Sequence, residues 1–433
     1  MQRNHPKPSR RCLLATAIAV AAAFPFATMA ATAAVASAPH YVVTDLGTLG
    51  GSFSLAYGIN NRGQIAGFAT LPGDAVEHSF VRRLGRMIDL GTLGGPDSQS
   101  FTGLNNFGVV PGVAELNTPD PDGEDFCGIG THLTCLGFLW KKGLMLPLGT
   151  FGGPNSGAAM VNDFGVVAGY AETSVPDAAC PAPQVLHYRP AVWKGRKLHS
   201  LALHRGDTEG AAFWLNNLGE VVGASGVCAA FDPRYAVPIR PDHALLWRSG
   251  RTIDLGSLGG KFNNAAFAIN DCSDVVGASD LPGDTATAGL QHAFLWRHGA
   301  MADLGTLPGD QQSAAVAINN HGQVTGVSVD AQGGITGFLW QHGRMYNLND
   351  LIPADSGMYI LHGFGINDRG QVVGFAVQLA TGEVHGFLAN PDHGGRSMAG
   401  TRALAAKPVL SAKVRRQLQG WLRSKRIGVR LAD

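Results

Sequence analysis

Charge is scarce in this sequence. Asp, Glu, Lys and Arg make up only 15% of the residues, and the formal net charge is +1. Broad capture of a polyanion needs a dense field of one sign, so a nucleic-acid-binding role is excluded. Long apolar runs are absent beyond the N-terminal segment, and a membrane-spanning helix needs about 20 such residues. Catalytic signatures are missing as well. No nucleophile elbow, His-Glu-x-x-His helix, phosphate loop or dinucleotide fingerprint stands in a suitable context. Gly-rich strings such as Gly47–Gly51 are not followed by Lys-Ser/Thr. No Cys-x-x-Cys pair exists, which leaves zinc as the weaker use of the cysteines.

A repeat fills the chain instead. An Asn closes an Ala-rich segment at positions 60, 105, 162, 216, 270, 319 and 367, giving seven copies. A period near 50 residues points to one repeating body rather than to separate domains. A Gly ends the following Val-rich segment every time, at 67, 112, 169, 223, 277, 326 and 374. Each copy reads as four short strands. The Ala-rich strand stops at Asn, an Asn-x-x-Gly turn follows, and Asn and Gly are the residues such a turn favours. Then come the Val-rich strand, a strand ending in Phe-Leu-Trp as in Ala293–Trp296, and a hairpin into Met301–Leu304. Copy five carries Ser273 in place of the turn Gly, so that turn is expected to be strained or differently shaped.

Four strands per copy fit one propeller blade. The Ala- and Gly-rich first strands suit the crowded axis, and the Phe and Trp of the third strands suit the space between blades. The last copy ends at its third strand, His385–Ala389, while an orphan strand, Tyr41–Gly47, precedes the first copy. Pairing the two closes a ring and removes the free sheet edges of an open array. The expected fold is therefore all-β: a seven-bladed propeller over 39–393, closed by the N-terminal strand. An open β-solenoid is the competing arrangement, but no β-type capping segment is visible.

The ends have their own character. Residues 1–38 read as an export signal: a basic start with Arg10 and Arg11, an apolar run Cys12–Ala27, and small-residue cleavage candidates between Ala30 and Ala38. Ser9-Arg10-Arg11 also fits a twin-arginine signal. Residues 394–433 form a basic tail. Ser411 is placed to cap a short helix carrying Val414, Leu418, Trp421 and Leu422 on one face. Such a helix would rest on an anionic surface, a partner or the propeller itself.

Strings such as His-Ala-Phe-Leu-Trp at 292–296, His-Ser-Phe-Val at 78–81, His-Ala-Leu-Leu-Trp at 243–247 and His-Gly-Phe-Leu at 385–388 resemble the probable extracellular HAF repeats. Asp-Leu-Gly-Thr-Leu-Gly-Gly at 45–51 and 89–95 belongs to the same pattern. The resemblance covers roughly residues 41–390, and copies two, three and six depart from it with Leu136, Arg189 and Thr336 at the His position. It implies a secreted or surface bacterial protein and transfers no catalytic residues.

Several residues are candidates for a role. His78, His243, His292 and His385 sit in different blades at matching places, so they serve a bond within each blade, to the Asp of Asp-Leu-Gly, rather than one shared metal. The repeated Asn residues are turn formers. Asp120, Asp122 and Asp125 around Gly123 resemble the start of a calcium loop. The alternative is an acidic solvated loop, and calcium is the only cofactor the sequence raises. Long insertions separate the second and third strands of copies two to four: Ala114–Cys135, Ala171–Tyr188 and Ala224–Asp242. They fall on one rim with the Gly-Thr-Leu-Gly-Gly turns, where a rigid scaffold carries binding loops. The binding candidates there are His187, Tyr188, Arg189, Phe231, Arg234, Tyr235 and Arg240. Aromatic and Arg side chains suit a sugar face or a protein patch; simple decoration of the rim is the alternative. Export admits disulfides. Cys127 with Cys135, and Cys180 with Cys228, are the candidate pairs, leaving Cys272 free. The expected function is a secreted binding module for a glycan or an extracellular protein. An extracellular glycan hydrolase or lyase using Asp120, Asp122 and Asp125, and a purely structural surface protein, are the alternatives.

Overall fold

The computed structural model describes residues 38–195, 197–232, 237–285 and 290–392. The tail, and the export signal apart from Ala38, lie outside them.

The chain forms seven antiparallel sheets of four strands each, a seven-bladed propeller. Blade 1 is Ser54–Ile59, Ile65–Thr70, Glu77–Arg83 and Arg86–Asp89, and the later blades repeat that order. The first strand of blade 2 is shortened to Ser98–Gln99. Blade 7 takes three strands from Met358–Pro391 and its fourth, Tyr41–Asp45, from the start of the chain. Tyr41 pairs with Pro391 and Asp45 with Phe387, so the ring closes as expected. No helix of the described residues is long and apolar enough to cross a membrane.

The blade cores follow from the repeat. The third-strand rings Phe80, Phe138, Phe294, Phe338 and Phe387 are fully buried, and burying each contributes roughly 2–3 kcal/mol. Phe138 and Trp140 of blade 2 pack with Val81 and Leu90 of blade 1, filling the gap between blades. The second-strand Gly lies beneath a first-strand carbonyl. A Cβ at Gly277 would sit 2.0 Å from Ala265 O and 2.8 Å from the Phe294 ring, so no larger residue fits. Along the axis, Tyr57 stacks on Phe364 with centroids 4.1 Å apart, joining blades 1 and 7.

The repeated His makes the bond expected of it in three blades. Nδ1 of His78 lies 2.9 Å from Asp89, that of His292 2.8 Å from Asp303, and that of His385 2.9 Å from Asp45. The last of these ties the closing strand to blade 7. His243 differs and binds Asp207 instead.

The Asn residues do more than shape turns. Oδ1 of Asn60 accepts the amides of Arg62 and Gln64, both at 3.0 Å. Its Nδ2 reaches out of the blade and donates to Asn105 O at 2.9 Å. The same step runs from Asn105 to Asn162, Asn216, Asn270, Asn319 and Asn367, and Asn367 returns to Asn60 O at 2.9 Å. The next residue in each turn builds a second closed ring: Asn61 N donates to Asn106 Oδ1, and so on through Asp163, Asn217, Asp271, Asn320 and Asp368 back to Asn61. A carboxamide can accept two turn amides at its oxygen while its nitrogen donates outward. Ser273 completes the blade 5 turn with φ +63 and the usual bond to Asn270 O, at 3.1 Å. That turn is strained, but its shape matches the others.

Candidate functional site

The insertions of blades 2, 3 and 4 are mostly paired hairpins that extend the blades past their neighbours. Their strand pairs are Val110–Pro119 with Leu133–Lys141, Val166–Pro176 with Leu186–Lys194, and Val221–Asp232 with Val237–Arg248. They are joined into one body. Cys180 and Cys228 are disulfide-bonded, linking blades 3 and 4, and Cys127 is bonded to Cys135 within blade 2. Both expected pairs are therefore present. Cys272 is not a free thiol as expected; it too is disulfide-bonded.

A buried carboxylate carries the join between blades 2 and 3. Glu124, fully buried, accepts from Leu186 N at 2.7 Å, Val185 N at 2.5 Å and Gln184 Nε2 at 3.0 Å. Gln184 also donates to Glu172 at 3.0 Å. Burial, then the adjacent Glu124, holds the Glu172 carboxyl far above the ordinary carboxylate range. Beneath it an aromatic cluster spans the three blades: Phe126, Tyr170, Tyr188 and Phe213 with Val237 and Ile239.

The candidate residues fall in different places. Tyr188 points into that cluster, fully buried, so it is a core residue and not a ligand contact. Strand alternation puts His187 and Arg189 on the opposite face. His187 Nδ1 bonds Glu209 and lies 3.5 Å from Asp177. Burial pushes the Glu209 carboxyl up to about 7, opposed by its bond to His187. Arg189 donates to the carbonyl of Thr208, the last residue of the connection before the Glu209 strand. Arg240 forms a two-point pair with Asp242 at 2.9 and 2.8 Å and lies over the Phe262 ring. Phe231 lies in the blade 4 hairpin strand, and Arg234 and Tyr235 lie outside the described residues.

The acidic loop does not gather its carboxylates. Asp120 is buried, and its Oδ1 caps the turn by accepting Asp122 N and Glu124 N at 2.9 and 3.0 Å. Its Oδ2 accepts Asn155 Nδ2 at 2.8 Å. Asp122 is exposed, and Asp125 caps Gly130 N. The described groups whose ligand-type atoms lie within 4.8 Å of one another are Asp177–Cys180–Cys228, His204–His243–Asp254 and Asp177–His187–Glu209. None includes Asp120, Asp122 or Asp125. Sequence reasoning missed Glu124, Asp177, His204 and Glu209. The one available signal was that each stands outside the repeat consensus.

The opposite rim carries the Asn rings around a cavity of about 130 Å³. Its Asp163 and Asp368 carboxylates accept from turn amides and from neighbouring Asn side chains, so this mouth reads as a structural seal.

No family model and no curated protein matches the chain. Solved structures resemble it at low identity. The acylaminoacyl peptidase of Pyrococcus horikoshii is 10% identical at TM-score 0.45 and covers 75% of this chain. This chain spans about half of that one, 49%. The β-propeller domain of the Trilobed protease from Pyrococcus furiosus is 10% identical at TM-score 0.46, with 78% of this chain and 95% of that one covered. A puromycin-hydrolyzing peptidase of Mycobacterium tuberculosis is 13% identical at TM-score 0.46, with 81% and 56% covered. At these values the likenesses say nothing of activity; the propeller assignment rests on the strand pairing itself.

Proposed function

We propose that this chain is an exported HAF-repeat propeller that works as a binding module, taking a glycan or an extracellular protein on the rim built by the insertions of blades 2 to 4. One observation carries the reading: the Cys180–Cys228 disulfide and the Glu124 network join three separate insertions into a single preformed surface. Order in the free state lowers the conformational cost of binding. Decoration alone gives no reason to cross-link neighbouring blades. The Cys127–Cys135 and Cys180–Cys228 disulfides suit an oxidising compartment outside the cytoplasm, which agrees with the export signal read from the sequence.

A glycan array and a capture assay with extracellular proteins test this, using the mature chain and a Cys180→Ser/Cys228→Ser variant. Saturable binding weakened in the variant supports the reading. Unchanged binding in the variant, or binding retained when the blade 2–4 hairpins are shortened, would overturn it. A hydrolytic reading draws on the His187–Glu209 pair, an imidazole backed by a carboxylate. Turnover of a polysaccharide panel, lost in His187→Ala, would replace binding with catalysis.

A further inference from the structure

Blade 4 breaks a rule that blades 1, 5 and 7 keep. Elsewhere the His opening the third strand bonds the Asp of its own fourth strand. In blade 4 those residues are His243 and Asp254, and they are not bonded to each other. His204, from the connection between blades 3 and 4, is inserted there. Its ring stacks on His243 with centroids 3.6 Å apart, and its Nε2 lies 3.9 Å from Asp254 Oδ2. Asp207, from the same connection, takes His243 Nδ1 at 2.9 Å. Four titratable groups stand where blades 1, 5 and 7 have two.

We propose that His204, His243 and Asp254 bind a divalent transition-metal ion of the zinc class. One ligand-type atom from each lies within 4.8 Å of the others. Asp207 accepts the Nδ1 proton of His243, which fixes the tautomer and leaves the Nε2 lone pair for an ion; a carboxylate behind a ligating imidazole is the usual arrangement. Asp207 is itself held by Ser225 Oγ, which also receives His204 N at 3.2 Å. Both imidazoles are thus positioned by one anchor. His204 Nδ1 is buried without a hydrogen-bond partner. Two imidazoles and a carboxylate suit zinc and its neighbours, whereas calcium takes an all-oxygen set.

Stacked rings do not both aim lone pairs at one ion. Binding therefore requires the His204 ring, 36% exposed beside the 39% exposed Asp254, to turn out of the stack while Asp207 holds His243. Three protein ligands leave the fourth tetrahedral position to water or to a ligand.

Competition for zinc against a chromophoric chelator, with the tag-free mature chain, tests the site, and cobalt absorption reports its geometry. One ion per chain is expected, with tetrahedral cobalt bands. His204→Ala and Asp254→Asn should each weaken binding by about tenfold or more, and Asp207→Asn, a positioning change, by about 10–100-fold. His292→Ala, the repeat counterpart with no second imidazole, and His187→Ala should leave it unchanged. Equal melting temperatures of wild type and His204→Ala in chelator establish that the variant is folded; if they differ, Asp254→Asn carries the same test. No saturable binding by wild type overturns the proposal. So does binding that survives both variants, or that falls equally in His292→Ala or His187→Ala.

Discussion

Replacing Asn367 by Asp changes one group at the seam between blades 7 and 1. In the native ring, Asn367 Oδ1 accepts Arg369 N and Gln371 N at 3.0 and 3.1 Å. Asp keeps both bonds. What it loses is the donor: Nδ2 gives hydrogen bonds to Asn60 O at 2.9 Å and to Gln371 Oε1 at 2.8 Å. An ionised oxygen would instead face two acceptors in a site where Asn367 and Asn60 are each only 4% exposed. A lost bond costs about 1 kcal/mol, and a buried acceptor left unpaired about 1–3 kcal/mol more. The expected loss is about 3 kcal/mol. With roughly 2 cal/mol/K of unfolding entropy per residue, this lowers the melting temperature of a body this size by about 4 °C. The deficit also has a pH signature. The new carboxyl has a folded pKa raised above the ordinary value of about 3.9, so its protonated form restores a donor. The deficit is then smallest at low pH, where one of the two donated bonds is regained, and grows as pH rises through the folded pKa. Calorimetry at pH 4 and pH 7 makes the comparison. A variant within 1 °C of wild type at pH 7, or a gap that does not shrink in acid, refutes the claim that the amide donor holds the blades together.

Four further changes probe the same architecture. Ser273 holds φ +63 and donates to Glu220 at 2.6 Å, so Ser273→Gly trades a left-handed cost of about 1–2 kcal/mol for one lost bond of about 1 kcal/mol, near zero net. Ser273→Ala keeps the strain and loses the bond, and should be about 1 kcal/mol less stable in urea unfolding. Gly277→Ala puts its Cβ 2.0 Å from a backbone oxygen and should cost about 3 kcal/mol; Gly143→Ala, with open space around it, should cost about 1 kcal/mol through its φ of +88 alone. Reducing Cys180–Cys228, which closes a 48-residue separation, should cost about 4 kcal/mol by chain entropy, against about 2.5 kcal/mol for the 8-residue Cys127–Cys135 link. His362 is pushed down to about 3 by burial in blade 7. Its folded pKa lies below its unfolded one, so the stability it contributes is present above about pH 6.5 and is lost as pH falls toward 3. His362→Phe, stacked between Phe364 and Phe375, should flatten that acid limb in a denaturation series.

Much of the architecture was legible along the chain because it is local. Side-chain alternation, Asn-x-x-Gly turns and the missing last strand are properties of consecutive residues, and they implied seven blades and their closure by the Tyr41–Gly47 strand. The His-to-Asp bonds of blades 1, 5 and 7 followed from the repeat, since the Asp pairs with the third-strand Phe and so lies diagonally from the His two residues before it. Tertiary structure alone decided what crosses between copies. The Asn60-type donors find carbonyls 45 to 57 residues away, or 307 at the seam, and nothing in the local pattern states the twist that brings those turns together. The same holds for Tyr188, turned inward by neighbouring insertions, and for Asp120, used as a cap by its own turn. His204 meets His243 only because one connection folds over blade 4. A repeat encodes its own blade through short-range geometry; contacts between blades depend on how the rigid sheets are tilted against each other, and that is set by the whole ring.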